Sequence, residues 1–253
     1  MKMSKNYHSR AVNSKSRVGP IIDQGLRAYM LRVYNLMAFG LIITGVMAFL
    51  VNNLATTTSA SGHIMLTDFG VALYRSPLRW VVMFAPFGVS LFFSMRLQYL
   101  SVHAASVIFG IFSALMGISL SSIFLLYTGQ SIVQTFFITA ASFGSLSLYG
   151  YTTKKDLTAM GSFMIMGAFG LFLAMIVNLF MADPVIQLAM AAIGVIIFSG
   201  LTAYDTQRIK DMYSGSYSHD VIGRQAVMGA LNLYMDFINM FVFLLQFLGN
   251  RRD

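Results

Sequence analysis

Seven stretches of the chain, at about 33–51, 80–95, 102–127, 131–150, 160–181, 185–204 and 229–248, are apolar for roughly the 20 residues that a helix needs to cross a bilayer. Inside lipid every backbone N–H and C=O must be paired, and within a single run only a helix does that. The chain is therefore expected to be an all-α polytopic membrane protein with seven transmembrane helices. Charge agrees: only 10% of residues are charged and 57% are hydrophobic, whereas a soluble domain carries about 25% charged residues. The second stretch is the shortest and carries Pro86; the last is the most polar.

What lies outside the spans divides the chain further. Residues 1–20 are polar and basic, with Lys2, Lys5, Arg10, Lys15 and Arg17 among Ser and Asn. The reading is a disordered cytoplasmic arm over residues 1–26 followed by the bundle over residues 27–253. A cleaved signal peptide would begin its apolar core sooner than Val33. Connections are short except 52–79, an ordered loop or a surface helix, and the polar 205–228. Between the fourth and fifth spans, Thr153 and Asp156 stand at capping-box spacing.

Basic residues accumulate on the cytoplasmic side. An N-terminus inside places the arm, Arg27, Arg32, Arg96, Lys154, Lys155, Arg208, Lys210 and Arg224 there, thirteen of the seventeen Lys and Arg. Arg75 and Arg79 fall outside. So do Arg251 and Arg252 if the last span crosses fully, which is the reading favoured over a re-entrant segment. The basic excess reads as topology and attraction to anionic membrane lipids, with no nucleic-acid partner.

The acids are few and uniform: nine Asp, with no Glu and no Cys. That excludes a disulfide, a thiolate metal site, a Cys nucleophile and an H-E-x-x-H zinc helix. No span has an interior Lys for a retinal-type Schiff base, and no Ser-His-Asp or phosphate-loop pattern appears. Neither an enzyme nor a cofactor is expected. An intramembrane aspartyl protease would need a Gly-x-Gly-Asp context, but Asp205 follows Ala203-Tyr204 and Asp236 follows Tyr234-Met235.

Helices bathed in lipid associate through close packing and polar contacts. The third span offers one small face, Ser106, Gly110, Ser113, Gly117 and Ser121. The fourth is small and polar around Ala140, Ala141, Ser142, Gly144, Ser145 and Ser147. Both read first as packing faces within the bundle, with a pore lining as the alternative. Met and Phe would fill gaps and face lipid.

A charge at mid-membrane costs about 3 kcal/mol or more and persists only with a partner or a task. Asp236 lies about ten residues into the last span and shares a helical face with Asn232, Asn239 and Gln246, a stripe that must turn toward the interior or a water-filled cavity. It either locks two helices or handles a proton or cation. Asp205 ends the sixth span near Ser199, Thr202 and Thr206. It pairs with Arg208 one turn on, or meets Asp236 from the antiparallel neighbour. Two such carboxyl groups would share a proton and respond to pH or to a divalent cation, with oxygen ligands suited to Ca²⁺. Arg96, at the end of the second span, snorkels to headgroups or pairs with Asp205.

Ala141–Leu157 (ASFGSLSLYGYTTKKDL), Ile197–Lys210 (IFSGLTAYDTQRIK) and Leu233–Phe241 (LYMDFINMF) resemble the Bax-inhibitor (TMBIM) family in its bacterial YccA-like branch, over about residue 27 to the C-terminus. The resemblance implies a central helix wrapped by the other six, and a pH-sensitive Ca²⁺ leak in the bacterial inner membrane. Asp205 and Asp236 would then be proton sensor and gate, and possible Ca²⁺ ligands, with Arg96 the latch on Asp205. Asn232, Asn239, Gln246 and Thr202 are the polar pore-face candidates. Some members carry a Glu in the second span, where this chain has Ala85 and Pro86. The resemblance also implies a second reading: a non-conducting partner of the FtsH-type membrane protease, held by the basic arm and acting in membrane-protein turnover or stress survival. A monomer is expected.

Overall fold

A computed structural model describes residues 4–58, 64–96 and 99–252, with side chains of 4–23, 87 and 94 left aside. The expected arm over residues 1–26, and with it the protease handle, falls almost wholly outside the residues described in full.

Helix α1, Ser4–Ala55, contributes Gln24–Ala55 as the first span. It runs into a short antiparallel hairpin, β1 (Thr56–Thr58) with β2 (Ile64–Leu66), and then α2, Asp68–Tyr74. The described residues of the 52–79 connection thus hold a strand pair and a short helix. Helix α3, Leu78–Arg96, contains Pro86 and meets α2 at a 63° bend; among the described residues six helices are long and apolar enough to span alone, and counting the bent α2–α3 pair as one span gives seven. The third span is α4, Val102–Leu120, continued after a break at Ser121-Ser122 by α5, Ile123–Leu126. Then follow α6 (Gly129–Thr152), α7 (Thr158–Met181), α8 (Pro184–Asp211) and α9 (His219–Leu248).

The starts of these helices are written in the residues before them. Ser101, Thr128, Asp183 and Ser218 each take a backbone N–H of the first turn onto a side-chain oxygen, relieving donors that the helix itself leaves unpaired. Pro184 follows Asp183 at a position where its missing N–H costs nothing. Ala182, at φ 51°, closes α7 in the left-handed conformation so that Asp183 can start α8 at once. The capping box expected at Thr153 and Asp156 does not form: Asp156 accepts from Thr158 N instead, and Thr153 from Lys155 N.

Helix α9 is the centre of the bundle. In its most apolar 18-residue window 72% of positions are buried, against 6% in α7. The wrapping has two shells, a refinement of the expected ring of six. Helices α1, α4, α6 and α8 pack on α9, while α3 rests chiefly on α4 and α7 chiefly on α8. The outermost side chains are large and apolar, with Phe163, Phe180 and Leu179 exposed, a surface that only lipid would cover.

Small residues set the approach distances. On α4, Ser113 and Gly117 face α1: the Thr44 hydroxyl donates to Ser113 O at 2.8 Å, and a Cβ on Gly117 would come to 2.5 Å from Thr44 O. That face packs, as expected. On α6 only one side is inside, namely Ser131, Thr135, Thr139, Phe143, Ser147 and Gly150 at steps of three or four. Ala141, Gly144 and Ser145 point outward, because a single helical face, not the whole small segment, meets the core. A Cβ on Gly150 would strike the Ala203 carbonyl, which sets the α6–α8 spacing two residues from Asp205.

Candidate functional site

Consecutive helices joined by a short turn run antiparallel, so the inner end of α8 lies along the first half of α9. The start of α9 projects beyond the end of α8, with Gly229 against Ile209 and Gly194 against Phe243, so that Asp205, about 9 Å before the end of α8, is set close to Asp236, about 26 Å into α9 at 1.5 Å per residue. The two carboxyl groups are close enough for each to act on the other. Asp236 is buried, 4% exposed, and its Oδ2 has no hydrogen-bond partner. Asp205 is half-buried, and the charge of Arg208, exposed one turn on, acts on it.

The other expected residues divide. Arg96 is exposed at the last residue of α3, which packs on α4, and it is not brought to the pair. Thr202 is fully buried, but its hydroxyl is committed to Phe198 O at 2.8 Å. Asn232 is half-buried; Asn239, also half-buried, donates to Met235 O on its own helix at 2.9 Å. Gln246 belongs to the far end of α9, where it lines a cavity of about 320 Å³ with Tyr127, Gln187 and Arg251. Among the described residues no cluster of three or more metal-ligating side chains forms. Two carboxyl groups are well short of the six to eight oxygens of a resident Ca²⁺ site.

Three features around the pair were not read from the sequence. A hydroxyl chain links Tyr34 to Ser147 at 2.6 Å and Ser147 to Thr206 at 2.9 Å, with the Thr206 proton given to Thr202 O. Since Thr206 spends its proton there, Ser147 donates to Thr206 and Tyr34 donates to Ser147: the chain has one polarity and ends on the Thr202 carbonyl. Gln207 bridges to the α6–α7 turn, accepting from Leu157 N and donating to Lys155 O, both at 2.8 Å. Tyr234, two residues before Asp236, is fully buried and holds Thr44 of α1 at 2.6 Å, with Phe109 and Phe112 edge-on to its ring. Helical spacing from the two Asp would have pointed to Thr206; the partners from α1 and α6 had no local signal.

At the opposite end the C-terminal tail is sewn to the α5–α6 connection. Thr128 N donates to Asn250 O, Arg252 N to Leu126 O, and Arg251 reaches Gln187 at 3.1 Å. With α9 helical from His219 to Leu248, the last segment crosses the bundle fully and does not turn back.

A central, mostly buried helix carrying one acid, beside an antiparallel neighbour carrying another, belongs to an all-α polytopic membrane protein. The chain belongs to the Bax-inhibitor family: the family described as "Inhibitor of apoptosis-promoting Bax1" matches residues 26–253. Among similar proteins, an uncharacterized protein of Rickettsia prowazekii is 45% identical over 234 residues, covering 91% of this chain and 93% of the relative. The inner membrane protein YbhL of Escherichia coli K12 is 40% identical over 232 residues, covering 90% and 94%.

Proposed function

We propose that this chain is a passive, pH-sensitive cation leak of the bacterial inner membrane, with Ca²⁺ as the permeant ion and the Asp205–Asp236 pair as proton sensor and gate. The observation that carries this reading is the meeting of the two carboxyl groups on α8 and α9 with Asp236 Oδ2 left without a partner. A buried acid without a full set of partners is costly to keep in a membrane and marks a proton or ion pathway by default. Two carboxyl groups at this separation titrate as one unit. The state that holds a shared proton binds the helices together; the doubly ionised state repels, and invites a cation between α8 and α9.

The pair would serve a passing ion as a stopping point, since its oxygens are too few to retain Ca²⁺. A cytoplasmic N-terminus is supported by the basic residues Lys154, Lys155, Arg208 and Lys210 at one end of the bundle. Arg96 can act as a latch only if the end of α3 approaches Asp205; in the conformation described, Arg208 is the cation that acts there. The test is Ca²⁺ flux into liposomes across a range of pH, for wild type and the Asp→Asn variants.

A further inference from the structure

Helices α1 and α6 both pack on α9, yet they part from one another on the lipid side, bridged by the Tyr34–Ser147 hydrogen bond. The parting leaves a cavity of about 610 Å³ at the basic end of the bundle, lined among others by Arg27, Leu31, Phe143, Gly144, Leu148 and Tyr151. That volume lies within the ordinary range of ligand cavities. Its walls are not uniform. Arg27, exposed, is the one cation among the lining residues, and Lys210 lies outside the lining, donating to the carbonyl of Tyr151 at 3.1 Å. The rest of the lining is largely hydrocarbon, with Met30 and Phe143 buried and Leu31 and Leu148 exposed.

Gly144 enlarges this space for no packing reason. A Cβ there would meet nothing within 4 Å, whereas on the same helix a Cβ at Gly150 would collide with the backbone of α8. A glycine in mid-helix weakens the helix, and here its effect is to leave room on the lipid side.

A cation and hydrocarbon on one lining complement one class of molecule. We propose that the α1–α6 cavity is a binding site for an anionic phospholipid, its headgroup at Arg27 and an acyl chain along Leu31, Phe143 and Leu148. Basic pockets between transmembrane helices hold anionic headgroups on the same principle. Tyr34 and Ser147 of the lining are also the first two members of the hydroxyl chain that runs to Thr206 of α8. The site stands whether or not the carboxyl pair conducts.

The test is native mass spectrometry of the purified full chain in detergent, offered phosphatidylglycerol and phosphatidylcholine with identical acyl chains. Wild type is expected to retain phosphatidylglycerol in preference, and Arg27→Gln to lose about fivefold of that preference, the equivalent of about 1 kcal/mol for one basic residue near an anionic headgroup. Gly144→Trp, whose ring enters open space, is expected to abolish retention of one lipid. Leu148→Trp fills the same cavity from the next turn and serves if the first variant does not fold. Equal retention of the two lipids by wild type would overturn the proposal, as would unchanged retention in both Trp variants. If the Trp variants instead convert a dimer to monomers with lipid retention unaltered, the cavity belongs to a second copy of the chain and the proposal fails.

Discussion

Asp205 of α8 and Asp236 of α9 bring their carboxyl groups together inside the bundle, and the helix that carries Asp236 is the most deeply buried of all. It is the antiparallel pairing of α8 with α9, with Gly194 admitting the Phe243 ring between them, that sets the two residues at one level.

The Tyr234–Thr44 contact ties the central helix to α1, and its two halves are not equivalent. Thr44 gives its proton to a carbonyl, Ser113 O at 2.8 Å, so Tyr234 is the donor between the two hydroxyls. Tyr234→Phe leaves Thr44 satisfied and is expected to cost about 1 kcal/mol. Thr44→Val strands the Tyr234 hydroxyl in the core and is expected to cost more, about 1–3 kcal/mol. Thermal unfolding of the two variants in detergent checks the order.

Gln207 holds the α6–α7 turn with both ends of its amide. Gln207→Leu fits the same space but leaves Leu157 N and Lys155 O unpaired. A loss of about 1–3 kcal/mol is expected, together with faster hydrogen exchange at the Leu157 amide and unchanged exchange at the C-terminal tail, which hydrogen-exchange mass spectrometry reads directly.

Much of this architecture is legible in the sequence because bilayer physics is strict: a run of apolar residues has one way to satisfy its backbone, so the existence of the spans and the oddity of Asp236 follow from composition and position alone. What lay beyond reach involves partners distant in the chain. The α6 small segment reads as buried throughout, and only the packed structure shows that Ser147 turns inward while Gly144 turns to lipid. Gln207 looks like a cytoplasmic polar residue until the turn it grips, some fifty residues earlier, is in place. The separation of Arg96 from the acids is likewise a matter of α3 docking on α4, which no local pattern announces.

Asp156 offers a pH test outside the membrane. Hydrogen bonds from the Thr158 side chain and backbone N–H hold its carboxyl below the ordinary value of 3.8. A lowered folded-state value means stability that is present in full above 3.8 and lost as pH falls below it. Asp156→Asn should therefore melt slightly below wild type at neutral pH, and the gap should close as pH drops below that value. Because the group is fully exposed the effect is small.

The two ends of the bundle can be told apart chemically, since the chain has no Cys to interfere. Single variants Lys154→Cys and Arg252→Cys are expected to react with an impermeant maleimide from opposite sides of the membrane, the latter from the periplasm. Labelling of both from one side would mean that α9 does not cross.

The central claim concerns the carboxyl pair, and one measurement addresses it most directly: Ca²⁺ entry into proteoliposomes as a function of pH, compared among wild type, Asp205→Asn and Asp236→Asn. The account predicts that wild type passes Ca²⁺ in a pH-dependent manner, and that either substitution flattens the dependence, since a carboxamide can neither share nor release the proton. Flux with the same pH profile in all three proteins would contradict it, as would the absence of any flux above that of empty liposomes.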